Sequence, residues 1–176
     1  MAPVVALTGF MGSGKTKVGR ALARRLGWRF TDLDDEIERR SGRAVAEWFR
    51  DDGESGFRAI ETHVLAVVLD EGTNGEGGGL VLALGGGTVT IADSLSLLRG
   101  RAFVVYLAVE PQVAWERVRG SGRPLATDEE TFVALAQTRR SAYLAAADAV
   151  VECGGRSVAE LAAEVAAVLG ERGAAA

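Results

Sequence analysis

Eight consecutive residues, Gly9-Phe10-Met11-Gly12-Ser13-Gly14-Lys15-Thr16, constrain the fold of this chain more than any others. They complete the pattern G-x-x-x-x-G-K-[ST]. The pattern arises by chance in roughly one chain of this length per hundred, and here its surroundings agree with it. Residues 4–7 are a short apolar run of the kind that becomes a buried parallel strand. Residues 15–26 place Val18, Ala21, Leu22 and Leu26 at helical spacing and stop at Gly27. A strand, a glycine-rich loop and a helix in this order make a phosphate cradle. Around Gly12, Ser13 and Gly14, successive backbone N–H groups can turn inward without a Cβ in the way. The helix points its positive end at the same anion. Lys15 is expected to reach the β- and γ-phosphates of ATP, and the Thr16 hydroxyl to ligate Mg²⁺.

The remaining elements alternate. Short strands are expected at residues 28–31, 80–84, 102–107 and 149–152. Helices are expected at 36–40, 45–49, 55–69, 91–98, 111–118, 129–147 and 158–169. Residues 72–79 are polar and glycine-rich and read as an exposed loop, and residues 119–128 as a mobile one. The Gly-Ala end is expected to fray. Strands alternating with helices imply an α/β fold: a three-layer α/β/α domain with a central five-stranded parallel sheet, a single unit over residues 1–176. Ligands of such sheets bind beyond the carboxyl ends of the strands. Three unusual segments fall at such ends: residues 9–16, 32–34 and 85–87.

The net charge of −4, with no basic run, argues against nucleic acid as a partner. The single cysteine, Cys153, forbids an internal disulfide and a cysteine metal cluster, and is compatible with a reducing cytoplasm. No apolar run approaches the roughly 20 residues of a membrane helix. His63, the only histidine, reads as a packing or surface residue, and the three tryptophans as core or pocket-wall groups.

A phosphate acceptor needs its own binding groups. Asp32 and Asp34 face the same way if the strand continues through them. Either could then take a proton, hold an acceptor hydroxyl or support a metal through water. Alternatively they start the next helix, where acids are favoured. Arg58 is an anion ligand or half of an i,i+3 ion pair with Glu61. Arg139 and Arg140 are ligands or helix-end cations. Arg123, beside Pro124, suits a lid over a phosphate site. Gly85-Gly86-Gly87 is a flexible turn, or a place where backbone approaches a ligand closely.

Taken together these segments resemble bacterial shikimate kinase over nearly the whole chain. The resemblance lies in residues 9–16, Asp32-Leu33-Asp34, residues 36–43, Phe57-Arg58 with Glu61, Gly85-Gly86-Gly87-Thr88-Val89, and Arg123-Pro124-Leu125. It implies a nucleoside monophosphate kinase-like P-loop fold, ATP and shikimate as substrates, and Mg²⁺ as cofactor. Asp34 would bind shikimate hydroxyls and serve as the base for the 3-hydroxyl. Arg58 and Arg139 would hold its carboxylate. Gly85, Gly86 and Gly87 would offer backbone N–H groups to substrate and γ-phosphate. Arg123 would be the lid arginine and Arg117 would stack on adenine, with Thr88 and Arg156 also on the ATP side. Asp32 would assist Mg²⁺ through water. The resemblance further implies a monomer in the cytoplasm, an acceptor-binding subregion at residues 33–61 and a lid at about 118–128. Two departures stand out. The family's proline after the second carboxylate arginine is missing from Arg139-Arg140-Ser141-Ala142-Tyr143, which leaves Arg139 and Arg140 as alternatives. The stretch from Arg123 to Arg139 is also a few residues short. A kinase of another small polyol or sugar acid, and a catalytically silent nucleotide-binding module, are the competing readings.

Overall fold

The computed structural model describes residues 3–74, 78–120 and 128–175. In chain order these form β1 (Val4–Thr8), α1 (Lys15–Leu26), β2 (Arg29–Asp32), α2 (Leu33–Ser41), α3 (Val45–Asp51) and α4 (Gly53–Asn74). There follow β3 (Leu80–Ala83), a 3₁₀ turn at Thr88–Thr90, α5 (Ala92–Leu98), β4 (Phe103–Ala108), α6 (Pro111–Val118), α7 (Glu129–Ala146), β5 (Ala149–Glu152) and α8 (Val158–Ala175). The five strands make one sheet in the order β2-β3-β1-β4-β5, and every pairing is parallel.

β1 lies at the centre and is buried along its whole length, which is why its sequence is apolar without alternation. Its side chains still alternate in direction. Val4 and Ala6 enter one core with Leu80, Leu82, Val104 and Tyr106, covered by Leu65 and Leu69 of α4 and by Phe132 and Tyr143 of α7. Val5 and Leu7 enter the other with Val81, Val105 and Leu107, covered by Val18 and Leu22 of α1 and by Leu161 and Val165 of α8. Two helical layers therefore enclose the sheet, as the alternating pattern requires.

The order places the ends of β2, β3 and β1 side by side, with Asp32 opposite Ala83 and Ala83 opposite Leu7. The phosphate loop, the Asp32 segment and the three-glycine turn thus share one rim. Three expectations need correction. α2 starts at Leu33, because the Asp32 carboxylate caps it by accepting from the Asp34 N–H at 3.1 Å. The segment 72–79, expected as an exposed loop, is helical at its start, since α4 runs on to Asn74. Gly72 there packs so tightly over β3 that a Cβ would lie 2.7 Å from Leu80 Cδ2. Gly79 is also buried, beneath the Trp28 ring. The alanine-rich C-terminus remains helical to Ala175, in keeping with alanine's helix propensity.

Candidate active site

The loop between β1 and α1 is held open by backbone conformation. Gly12 and Gly14 have φ of 80° and 92°, and a Cβ on Gly12 would come within 2.7 Å of the Ala114 carbonyl. Lys15 folds back over the loop, its Nζ donating to the carbonyls of Gly9 at 2.8 Å and Phe10 at 3.1 Å. No side chain caps α1 at Gly14, so the helix's first N–H groups are left for an anion. Ser13 Oγ and Thr8 Oγ1 are buried, without a hydrogen-bond partner among the described residues. An orphaned hydroxyl inside the loop is what a phosphate oxygen would satisfy.

Thr16 Oγ1 donates to Asp32 Oδ2 at 2.7 Å. These two hard oxygens suit Mg²⁺ and lie beside the cradle. Among the described residues no cluster of three or more histidine, cysteine or acidic side chains exists to cage a metal.

The acceptor side is assembled from α2, α4, α7 and the three-glycine turn. Asp34 lies in the first turn of α2, with Oδ1 only 3.2 Å from where a Gly85 Cβ would stand. The two aspartates do not share a strand face: Asp32 is the cap and Asp34 faces the turn. Arg58 is no surface ion pair. It is 8% exposed and donates to Glu61 Oε2 at 2.7 Å, and Glu61 is fully buried. Arg58 also donates to Glu54 at 3.1 Å. Burial alone would favour a neutral guanidinium; the charge and hydrogen bond of Glu61, with Glu54 behind them, outweigh it and keep Arg58 charged.

Glu61 ties this pair to the turn. Its Oε1 accepts from the Thr88 hydroxyl at 2.7 Å. A Cβ on Gly85 would strike Glu61, and one on Gly87 would strike the Arg58 guanidinium, at 2.5 and 2.3 Å. Gly85 and Gly87 thus leave room for the tips of neighbouring side chains of the chain itself. Thr88, expected on the nucleotide side, is buried, with its hydroxyl committed to this network.

Arg139 approaches from α7. Its Nη1 lies 3.4 Å from the Gly86 carbonyl, and its guanidinium lies 5.9 Å from the centroid of the Phe10 ring. Arg140, the next residue on α7, is exposed. Arg117 on α6 donates to the Gly12 carbonyl at 2.9 Å. Arg156, beyond β5, donates to the Glu152 carbonyl at 3.2 Å and pairs with Glu164. Burial pushes the Cys153 thiol up to about 11, against the opposing pull of Arg117 and Arg156. Arg123 and the 121–127 part of the expected lid lie outside the described residues.

Comparison with known proteins matches this arrangement to one family. A family model described as shikimate kinase matches residues 11–170. The shikimate kinase of Salinispora arenicola is 45% identical over 172 residues, covering 96% of this chain and 99% of that protein. That of Symbiobacterium thermophilum is 40% identical over 175 residues, covering 96% and 97%. Among solved structures, a shikimate kinase from Acinetobacter baumannii in complex with shikimate superposes with a TM-score of 0.88 at 35% identity, covering 98% of this chain and 95% of that one. The chain belongs to the shikimate kinase family. A second member, from Aquifex aeolicus, superposes with a TM-score of 0.82 at 30% identity, over 97% and 98% of the two chains. As in other shikimate kinases, the architecture is the P-loop, nucleoside monophosphate kinase-like fold.

Two groups near this site escape a reading of residue types. Glu61 passes for a surface partner of Arg58, although it falls on the apolar stripe of α4 with Phe57, Val64, Leu65 and Val68. A charge on that stripe is the signal. Tyr143 serves only as a landmark in sequence, because nothing local announces its long-range bond to Gly86.

Proposed function

We propose that this chain transfers the γ-phosphate of ATP to the 3-hydroxyl of shikimate, giving shikimate 3-phosphate and ADP. The observation that carries this reading is the position of Arg139, which lies against Phe10 of the phosphate loop and reaches Gly86 of the acceptor turn. Donor and acceptor groups therefore meet within one side chain's reach, as in-line transfer requires.

On this reading Lys15, the loop amides of Gly12, Ser13 and Gly14 and the start of α1 hold the β- and γ-phosphates. Arg117 and Arg156 flank the base, and Arg123 covers the phosphates as the lid arginine. Thr16, with Asp32 acting through water, would hold Mg²⁺, whose charge would offset that of the phosphates. Arg58 and Arg139 clasp the shikimate carboxylate, and Glu61 keeps Arg58 charged and aimed. Asp34 receives the proton of the 3-hydroxyl as its oxygen bonds to the γ-phosphorus and the bridging oxygen leaves with ADP. Thr88 acts through Glu61 and has no direct part. Residues 33–61 form the acceptor-binding region and 118–128 the lid. The same reading makes the enzyme a cytoplasmic monomer; no described helix is long and apolar enough to cross a membrane.

The test is ADP release coupled to shikimate with Mg²⁺-ATP, run beside an acceptor panel that includes cyclitols without a carboxylate. Shikimate-dependent turnover that Arg58→Ala abolishes supports the reading. A preferred substrate whose turnover ignores Arg58→Ala transfers the enzyme to another acceptor class.

A further inference from the structure

The charges of this chain are unevenly distributed. Residues 1–31 hold six lysines and arginines and no acid, and all 24 carboxylate side chains lie at Asp32 or beyond. Five of the six cations are exposed: Lys17, Arg20, Arg24 and Arg25 on α1, and Arg29 at the start of β2. Lys17, Arg20 and Arg24 recur at i, i+3 and i+7, so they form one stripe along α1, with Arg25 at its side. The helix buries its opposite face through Val18, Leu22 and Ala23.

Little neutralises this stripe. Arg20 meets Asp35 across 3.9 Å, with both groups largely in water. Among the described residues Lys17, Arg24 and Arg25 pair with no carboxylate. The neighbouring α8 commits Glu164 to Arg156 and Glu160 to Ser157. Lys17 also joins Lys15 in the first turn of α1, which holds no acid, so two cations oppose the helix dipole there. Such a conflict with local preference is expected at a functional site. Both substrates of the proposed reaction are anions, Mg²⁺-ATP a dianion and shikimate a monoanion, and they approach a chain of net charge −4. α1 starts at the phosphate cradle, and its Cα–Cβ bonds lean toward that end. The field of the stripe therefore adds to that of the helix's positive end.

We infer that the cationic stripe of α1 is an electrostatic guide for the nucleotide. It raises the rate at which the polyphosphate reaches the cradle, and Arg24 and Arg25 take no part in holding it there. The inference rests on the reading of this loop as the ATP site.

The double variant Arg24→Glu/Arg25→Glu reverses two charges about 14 Å along the helix from its start. The Debye length is about 30 Å at about 0.01 M salt and about 8 Å at about 0.15 M. The association rate of a fluorescent ATP analogue with Mg²⁺, read by stopped flow, should therefore fall about tenfold at the lower salt and about twofold at the higher. Its dissociation rate, and kcat with shikimate, should stay within about twofold, since guidance acts on encounter. Arg24→Lys/Arg25→Lys keeps the charge and should leave every constant in place. An association rate indifferent to the reversal at low salt would overturn the inference. So would a deficit undiminished at the higher salt, or one matched by the lysine pair. Arg24 and Arg25 also suit the negative end of α1, so a deficit that follows a lower melting temperature counts against guidance as well. A parent chain that binds the analogue but turns over no shikimate defeats the functional reading and leaves the guide standing.

Discussion

Arg58 and Glu61 carry opposite charges into a region almost closed to water, and neither tolerates the loss of the other. Removing one partner of a buried pair typically costs about 3–5 kcal/mol, because the survivor stays desolvated and uncompensated. Glu61→Ala should therefore lower the unfolding free energy by about that amount in urea melts. Exchanging both residues for apolar groups of similar volume should recover much of it. Arg58→Lys tests a different property. A compact ammonium cannot bridge Glu61 and Glu54 and still offer a planar fork to a carboxylate. Its expected signature is a rise of about tenfold or more in KM for shikimate, with KM for ATP little changed. Equal rises in both constants would mean that Arg58 supports the whole rim and not the acceptor alone. Gly12 makes the same kind of demand through backbone: Gly12→Ala combines a left-handed φ with a clash against Ala114. ATP binding in calorimetry should be lost or weakened well beyond tenfold.

Among the elements, α2 is both the cap bearing Asp32 and the platform for Asp34, so its anchoring matters to the site. Glu36 accepts from Arg39 and Arg40, and Arg40 also pairs with Glu71 on α4. Hydrogen bonds from Arg39, and then from Arg40, hold the Glu36 carboxyl down to about 2 against the opposing push of burial. The folded pKa thus lies below the ordinary 4.5. The stabilisation is fully present above about pH 4.5 and disappears as pH falls toward 2. Glu36→Gln should cost below about 1 kcal/mol at neutral pH, as befits a solvent-edged network. The gap between the melting temperatures of variant and parent should close over that acidic window. A gap that persists at pH 2 would assign the loss to packing. The start of this helix also shows why part of the site was illegible beforehand. β2 has only four residues, too few for a period of two to reveal where it stops. The Asp32 cap decides the matter by bending the chain one residue before Leu33. The true end of α4 was hidden likewise, because Gly72 reads as loop chemistry until β3 is seen beneath it.

At the scale of the whole molecule, the phosphate loop, the five strands and the two-sided cover were legible, since each depends on local pattern. Contacts between segments distant in sequence were not. The spacing of Arg58 and Glu61 suggested a pair, while its burial depends on the sheet order that brings the β3 turn beside α4. The same order makes occupation of the rim a load on the entire fold. A ligand that binds only the folded state adds RT ln(1 + [L]/Kd), about 2.7 kcal/mol at a hundredfold excess over Kd. For a chain of 176 residues that corresponds to roughly 5–11 °C in melting temperature. Shikimate and a non-hydrolysable ATP analogue with Mg²⁺ should each produce such a rise. In an Arg58→Ala background the nucleotide increment should survive and the shikimate increment should vanish. If both increments vanished together, donor and acceptor would not occupy the two separable halves of the rim described above, and Arg58 would have to be reassigned to the integrity of the sheet's carboxyl edge.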